Sequence, residues 1–253
     1  MNQQQSSITP PSARRRQVFT SLAALAVAPP LAGHGIATDA LRIGVVDLAP
    51  WVIPGAGGIF IDLLRDLALE SGVGLSPIAV PFARAKAMLL SGDVDMMFAY
   101  ESRQLQRAAP PLASLGEDEL LLVGRRHVRF HSLGELSGRT VGHLRGAEYD
   151  PALYLEPDIS RYETNNYEQG LHMLMLGRID AFVIPGAALP CCLRRLGIAR
   201  DQLGSIHVIR KSELSLYVSK SAGAAASRSG INHACELLRA KQRLRGFIRL
   251  YGA

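Results

Sequence analysis

The stretch MLLSGDVDMMFAY (Met88–Tyr100) recurs in altered form as MLMLGRIDAFVIP (Met173–Pro185), 85 residues further along the chain. Each copy contains a glycine, an aspartate three residues later, and then an unbroken apolar run. Glycine readily adopts the left-handed conformation that ends many helices. A continuous apolar run is typical of a strand that is covered on both faces of a sheet. The repeat therefore predicts a helix, its terminal glycine and a buried parallel strand in each of two similar α/β lobes.

Around the first copy, segments with the pattern of strands alternate with amphipathic segments. The predicted order is strand, helix, strand, helix, strand, over residues 41–52, 59–73, 75–82, 83–92 and 94–100. Such alternation indicates a mostly parallel sheet with helices on both faces.

Around the second copy, the same pattern restarts after an extended strand at Glu117–His127. A short helix and a strand within 133–144 precede a helix at 167–177, a strand at 179–185 and a helix at 188–197. The rest of the chain predicts a strand, a turn and a strand within 207–220, and then one long helix over Gly230–Leu250.

The N-terminal residues 1–37 have the pattern of a bacterial export signal. The basic group Arg14–Arg16 precedes a short apolar segment and small residues, with predicted cleavage after Ala37. Arg15–Phe19 resembles the twin-arginine export motif, but its flanking residues leave the Sec route open. No later segment has an apolar run long enough to span a bilayer. We therefore expect a soluble periplasmic protein without a membrane anchor.

The formal net charge of +6 does not by itself indicate a nucleic-acid-binding protein. The export signal carries three arginines and no acidic residue, so its removal leaves a charge of +3. Outside the C-terminal helix the basic residues are scattered, and basic residues on an outer helix face are usually just solvated. We therefore predict no nucleic-acid partner.

Cysteine and histidine patterns predict no metal site. Cys191, Cys192 and Cys235 are too few for a disulfide framework. Two interpretations stay open: one bridge between Cys235 and either adjacent cysteine, or three small buried residues. The seven histidines are dispersed, and the chain lacks both a Gly-x-Ser-x-Gly motif and a glycine-rich phosphate loop. We expect no cofactor.

Candidate ligand-binding residues follow the ends of predicted strands, because ligands of parallel α/β proteins bind at those ends. In the first lobe the candidates lie in Pro50–Trp51, Pro81–Arg84 and Tyr100–Arg103. In the second lobe Arg145–Glu148 follows a strand, where we expect backbone N–H groups at a helix start to be able to hold an anion.

Together these features resemble the bacterial family 3 solute-binding proteins, which are type II periplasmic binding proteins known best from polar amino-acid uptake. The resemblance covers essentially all of residues 41–252 and rests on the order of several short motifs. They are Gly58, Asp62 and Leu63 at the first helix, the two copies of the repeat, Leu136–Gly142 and Leu216–Lys220. The resemblance implies a two-lobed α/β fold of type II, in which each lobe is a mostly parallel sheet flanked by helices and two crossing strands join the lobes.

The resemblance also implies where the lobes begin and end and how they act. Lobe 1 would comprise residues 41–125 and 216–253, and lobe 2 would comprise residues 126–215. The crossings would lie near Leu121–Arg126 and Ser212–Leu216. A small-molecule ligand that contacts both lobes favours their closed arrangement. The implied protein is a monomeric receptor for a small polar, carboxylate-bearing solute, serving an ABC-type importer.

Four side chains of the predicted cleft follow from the same resemblance. The arginine that binds the ligand carboxylate aligns with Arg103, whose guanidinium presents paired donors to two carboxylate oxygens. Its alternative is a surface ion pair, and Arg107 is the substitute if the loop alignment shifts. Trp51 takes the place of the aromatic ring that covers the ligand, with core packing as its alternative, and Tyr100 is a second such ring. Arg84 is expected either at the cleft or in an outer ion pair.

The chain departs from the family where amino-acid binders hold the ligand's ammonium group. They place an aspartate near the position of Pro185–Gly186, and this sequence has none there. Glu148 or Glu101 would substitute, or the ligand has no ammonium group. Gly146 and Ala147 keep the backbone donors of the family's Gly–Thr/Ser pair but lose its hydroxyl.

Two other functions are open on this fold. Some exported proteins that resemble this family are cyclohexadienyl dehydratases, whose acid–base groups expel water and carboxylate from a ring, and Glu101 and Glu148 would be the candidate groups here. A sensory role is the other possibility, with the ligand presented to a separate membrane sensor. We predict a binding protein and not an enzyme.

Overall fold

The computed structural model describes residues 40–221 and 225–252, without the side chains of residues 225–227. The predicted export signal, residues 1–37, lies outside the described residues and stays a prediction. None of the described helices is both long and apolar enough to cross a lipid bilayer.

The first half of the molecule alternates strands and helices as predicted. Its elements are β1 (Leu41–Val46), α1 (Ile59–Ser71), β2 (Leu75–Val80), α2 (Phe82–Ser91), β3 (Met96–Tyr100) and α3 (Arg103–Ala108). β1 lies between β2 and β3 and is parallel to both. The sequence indicated a loop where α3 forms.

The second half repeats this plan after a long strand, β4 (Pro111–Arg125). Its elements are β5 (Thr140–Leu144), α4 (Pro151–Leu155), β6 (Ser160–Thr164), α5 (Tyr167–Met175), β7 (Ala181–Pro185) and α6 (Leu189–Leu196), with short 3-10 turns at Gly134–Leu136 and Arg200–Gln202. β5 lies between β6 and β7 and is parallel to both. No pattern in the sequence predicted β6, and α4 begins later than the helix start expected at Arg145–Glu148.

A second long strand, β8 (Leu203–Val218), returns to the first half and is followed by α7 (Ala225–Ala240) and α8 (Arg243–Gly252). The strands form one eight-stranded sheet in the order β2-β1-β3-β8-β4-β7-β5-β6. The central pair β4 and β8 is antiparallel and joins the two halves, so the predicted α/β fold with two crossing strands is confirmed. The lobe boundaries at residues 125/126 and 215/216 stay a prediction. β4 ends at Arg125, beside the first boundary, whereas β8 runs unbroken past the second one.

The two copies of the repeat occupy equivalent places in this sheet. Gly92 ends α2 with φ +88° and Gly177 follows α5 with φ +68°, both in the left-handed region. β3 and β7, which follow these glycines, flank the central strand pair on opposite sides.

The aspartates of the repeat also have one common role. Asp95 Oδ2 accepts the backbone N–H of Arg42 in β1 at 2.7 Å, and Asp180 Oδ2 accepts that of Thr140 in β5 at 3.0 Å. In return, the backbone N–H of each aspartate donates to the carbonyl of the same partner at 2.8 Å. Both aspartates therefore fix the start of a neighbouring strand and have a structural role.

Two predicted elements near the C-terminus are wrong. The predicted strand, turn and strand within 207–220 form one strand, because Ser212 is buried and pairs with Asp118 of β4 inside the ladder. The predicted single helix over Gly230–Leu250 is divided into α7 and α8, because Gln242 adopts a left-handed φ of +50° that ends a right-handed helix.

The possible disulfide bridge does not form. Cys191 and Cys192 lie in α6, Cys235 lies in α7, and all three are free thiols. Each is buried, and burial raises the pKa of the Cys192 thiol, so these residues behave as small core side chains.

Candidate functional site

A pocket lined mainly by aromatic rings lies between the two halves, and we call it the aromatic pocket. Its cavity volume is about 30 Å³, which is small for a molecule larger than a few waters. Its walls are Val46, Trp51, Phe60, Phe82, Lys86, Phe98, Ala99, Tyr100, Ser102, Leu105, Gly146, Ala147, Glu148, Tyr149, Tyr167 and Leu214. Five rings come from the first half and two, Tyr149 and Tyr167, from the second.

Trp51 is at the centre of the ring cluster. It stacks on Phe60 with ring centroids 4.8 Å apart and meets the Tyr100 ring edge-on at 5.7 Å. Phe60 in turn contacts Phe98, at 4.9 Å. The Trp51 side chain is 2% exposed, so it packs in the core and also lines the pocket. Its role as the ring that covers a ligand stays a prediction.

The three tyrosine hydroxyls of the pocket all have partners. Tyr149 Oη and Tyr167 Oη are 3.2 Å apart and hydrogen-bonded. Burial raises the pKa of both phenols, so both are protonated at neutral pH. Tyr100 Oη donates to Asp118 Oδ2 at 2.5 Å, and burial together with that carboxylate raises the pKa of Tyr100.

Asp118 places a carboxylate beside Pro185–Gly186, where the sequence has none, but it is not among the residues that line the aromatic pocket. Its Oδ2 accepts the Ala187 N–H at 3.2 Å, which places it directly beside that segment. Burial raises the pKa of Asp118, while hydrogen bonds from Tyr100 and two backbone N–H groups act in the opposite direction. Strand periodicity offered a signal, because in the run Glu117–Glu119 the middle side chain faces away from its two neighbours.

Glu148 links the two halves through α3. Its Oε2 accepts the Ser102 hydroxyl at 2.9 Å and the Gln104 N–H at 3.1 Å. Ser102 is also the N-cap of α3, because its Oγ accepts the Leu105 N–H at 3.2 Å. We call this arrangement the Glu148 clasp. It satisfies a free N–H group of the first turn of α3 with a carboxylate from the other half.

Lys86 is the cation of the aromatic pocket, and the sequence analysis missed it. Its Nζ donates to the Gly146 carbonyl at 3.2 Å and to Gln104 Oε1 at 2.5 Å. Burial lowers the pKa of Lys86, and the negative charge of Glu148 opposes this shift. The contact with Gly146 is a second polar link between the halves.

A more polar pocket of about 370 Å³ adjoins the aromatic one, and we call it the polar pocket. Its lining is Glu101, Ser102, Arg103, Glu148, Tyr149, Asp150, Pro151 and Arg210. Ser102, Glu148 and Tyr149 line both pockets, so the Glu148 clasp stands at their boundary. Arg210, on the crossing strand β8, donates to the Glu101 carbonyl at 3.1 Å and was also missed.

The structure separates the predicted arginines from the aromatic pocket. Arg103 is the exposed first residue of α3 and lines the polar pocket, where none of the described acids forms an ion pair with it. Arg107 lies in the last turn of the same helix, outside the residues that line these two pockets. Arg84 lies on the exposed side of α2, while Lys86 two positions later reaches the cleft.

The expectation of a helix start at Arg145–Glu148 is wrong. The segment is a turn with Gly146 at φ +76°, and α4 begins only at Pro151 after the N-cap Asp150. The N–H groups of Arg145 and Ala147 donate to the Thr164 and Leu144 carbonyls, so they are not free to hold an anion. Gly146, Ala147 and Glu148 nevertheless line the aromatic pocket.

In the described part of the chain, no three His, Cys, Asp or Glu side chains come together. The two adjoining pockets form a cleft with a mainly aromatic part and a part lined by charged groups.

Comparison with known proteins shows the fold. No family model and no curated sequence matches the chain. Among solved structures, the GluR0 ligand-binding core in complex with L-glutamate is 17% identical, with a TM-score of 0.72 over 86% of this chain and 100% of that one. A mutant of ArgBP from T. maritima is 18% identical, with a TM-score of 0.69 over 83% and 94% of the two chains. The substrate-binding protein of an amino acid ABC transporter is 17% identical, with a TM-score of 0.68 over 84% and 98%. The fold is that of the two-lobed periplasmic binding proteins, and these neighbours are binding proteins.

Proposed function

We propose that this chain is an exported solute-binding protein that captures a small carboxylate-bearing molecule between its two halves. The main observation behind the proposal is that both halves of the molecule contribute walls of the aromatic pocket. Trp51, Phe60 and Tyr100 come from the first half, and Tyr149 and Tyr167 come from the second. A ligand in this pocket contacts both halves at once and thereby stabilises their closed arrangement.

The carboxylate partner in this proposal is Arg103 at the polar pocket. It is exposed, forms none of the described ion pairs and presents a forked set of donors. The rings Trp51 and Tyr100 would then cover the body of the ligand, and Gly146, Ala147 and Glu148 would approach it from the second half. The resemblance to the substrate-binding protein of an amino acid ABC transporter supports a receptor that delivers its ligand to a permease. The periplasmic location and the monomeric state are further parts of the proposal.

A titration of the purified protein with carboxylates tests this function. A ligand at 100 times its Kd adds about 2.7 kcal/mol to the free energy of unfolding, which a thermal melt resolves. Arg103→Ala should weaken the best ligand by about tenfold or more, because it removes a charge-assisted pair of hydrogen bonds. Arg107→Ala, on the same helix, identifies which arginine acts. A ligand indifferent to both variants would contradict a carboxylate clamp on α3.

The enzymatic alternative has a separate readout. Glu148 is held by Ser102 and Gln104, and Glu101 lies 3.7 Å from Arg210 on the polar side. Incubation with prephenate followed by detection of phenylpyruvate distinguishes the two functions, because a receptor binds such a compound without consuming it.

A further inference from the structure

We propose that the ligand is a carboxylate with an apolar, ring-bearing body, which lies among the aromatic side chains while its carboxylate faces the polar pocket. This inference rests on the proposed function and adds the chemical class of the ligand. One structural neighbour is in complex with L-glutamate, and another is named ArgBP. The proposed ligand class differs from the ligands of those proteins.

The first argument is that the polar groups of the aromatic pocket already have hydrogen-bond partners within the protein. Tyr149 and Tyr167 bond to each other, and Tyr100 bonds to Asp118. No buried side-chain nitrogen or oxygen of the described pocket lining lacks a hydrogen-bond partner. The charged groups of the lining, Lys86 and Glu148, are already hydrogen-bonded to protein partners. A guanidinium or a second carboxylate placed among these rings would have to displace those partners or remain unpaired, which is unfavourable.

The second argument is the shape and chemistry of the walls. Seven rings line the pocket, and those of Trp51, Phe60 and Phe98 already pack at 4.8–4.9 Å. A flat apolar group of the ligand can stack on these rings when it enters the pocket, whereas a flexible polar chain cannot. Aromatic walls also hold quaternary ammonium groups, so a methylated amine is the main competitor to be tested.

The third argument is the orientation of a ligand that spans the two pockets. Ser102, Glu148 and Tyr149 separate the aromatic pocket from the polar pocket, where Arg103 and Arg210 lie. A molecule that spans this boundary places an apolar body on one side and an anion on the other. Because the aromatic pocket encloses only about 30 Å³, a ring enters only after the halves move apart and the Glu148 clasp opens.

The experiment uses the single tryptophan of the chain as its reporter. Since Trp51 lies in the pocket wall, its fluorescence responds to occupation of the pocket itself. The purified protein is titrated with the matched pair 3-phenylpropanoate and propanoate, and with L-phenylalanine, L-glutamate, L-arginine and glycine betaine. We expect the ring-bearing member of the matched pair to have a Kd roughly tenfold to hundredfold lower, as expected for burial of a phenyl group.

Each outcome decides a different point. Tighter binding of the two phenyl compounds supports the proposed class. Tighter binding of glutamate, arginine, propanoate or betaine overturns the class and leaves the binding function standing. If no compound of the panel binds at millimolar concentration, the carboxylate-receptor function itself is overturned, and the ligand class with it.

A variant pair tests the ring contact directly. Tyr149→Leu keeps an apolar side chain but loses the ring, and should lower the preference for 3-phenylpropanoate over propanoate about two- to tenfold. Tyr149→Phe keeps the ring and should keep the preference. If Tyr149→Leu does not fold, Phe82→Leu at a partly buried wall position gives the same measurement. An undiminished preference in the folded leucine variant contradicts the proposal.

Discussion

The carboxylate of Glu148, in the second half of the molecule, accepts a 2.9 Å hydrogen bond from the hydroxyl of Ser102, in the first half. The same oxygen accepts the Gln104 N–H, so one side chain holds the start of α3 across the cleft. The halves are thus joined at the boundary of the two pockets by groups of the chain itself. A ligand that enters the aromatic pocket has to compete with this contact.

Removal of the Glu148 clasp should destabilise the closed protein. Glu148→Ala is expected to lower the free energy of unfolding by about 1–2 kcal/mol, because a charged acceptor of two hydrogen bonds is lost. Urea denaturation measures the change. Glu163→Ala is the matched control: its pair with Arg145 is about half exposed on both sides, and its loss should cost under about 1 kcal/mol. Equal effects of the two variants would show that the clasp has no special role.

The two repeat aspartates should contribute similarly to the free energy of unfolding. Asp95→Ala and Asp180→Ala each remove a carboxylate that accepts one backbone N–H group at or near the start of a neighbouring strand. We expect a loss of about 1–3 kcal/mol for each, and a smaller loss for the asparagine variants, whose amide oxygen still accepts the N–H. Denaturation curves of Asp93→Ala, an exposed neighbour, should stay close to the parent. A large difference between the two alanine variants would refute the equivalence.

The two repeat glycines should differ in their tolerance of alanine. Both are left-handed, which costs an alanine roughly 1–2 kcal/mol. A Cβ on Gly92 would also collide with the Ser221 hydroxyl, whereas one on Gly177 has Arg125 Nη1 as its nearest neighbour at 3.9 Å. Gly92→Ala should therefore lower the melting temperature more than Gly177→Ala. The reverse order would be inconsistent with these contacts.

His143 should make the protein less stable in mild acid. It is 4% exposed, and burial lowers its pKa below the usual 6.5, against the opposing effects of the Leu144 carbonyl and Glu163. The unfolded chain therefore binds more protons than the folded one as the pH falls through 6.5, and the free energy of unfolding decreases there.

The variant His143→Phe should remove this component of the pH dependence while keeping the ring contact with Tyr154. Urea denaturation between pH 5 and 8 measures the slope. His131→Phe, at an exposed position, is the matched control for the loss of a histidine. An unchanged slope in His143→Phe would assign the acid sensitivity to other groups.

Local patterns predicted most of the fold because they depend on neighbours in the sequence. The glycines of the repeat locate two helix ends, and the apolar runs after them locate β3 and β7, since a strand covered on both faces needs no polar positions. The errors have equally local causes. Lys211–Glu213 is as polar as a turn, and only pairing with β4 makes it a strand.

The site was predicted less completely than the fold. The sequence indicated Trp51 and Tyr100 because they lie at or after strand ends, and Glu148 because it follows a glycine turn. All three line the aromatic pocket, and their roles toward a ligand stay a prediction. Lys86, Asp118 and Tyr167 were missed, because each lies inside a helix or strand where its side chain could face either way. No sequence spacing connects Tyr100 with Asp118, which are joined by a side-chain hydrogen bond across two strands.

The sequence by itself determined the repeated α/β plan, because helix ends and buried strands are encoded within a few residues of each other. Only the tertiary structure decided what lies in the cleft. Hydrogen bonds such as that from Ser102 to Glu148 join residues 46 positions apart, and ring contacts such as Trp51 with Tyr100 depend on how whole strands are placed. These contacts arise when the halves pack together, so no local pattern records them.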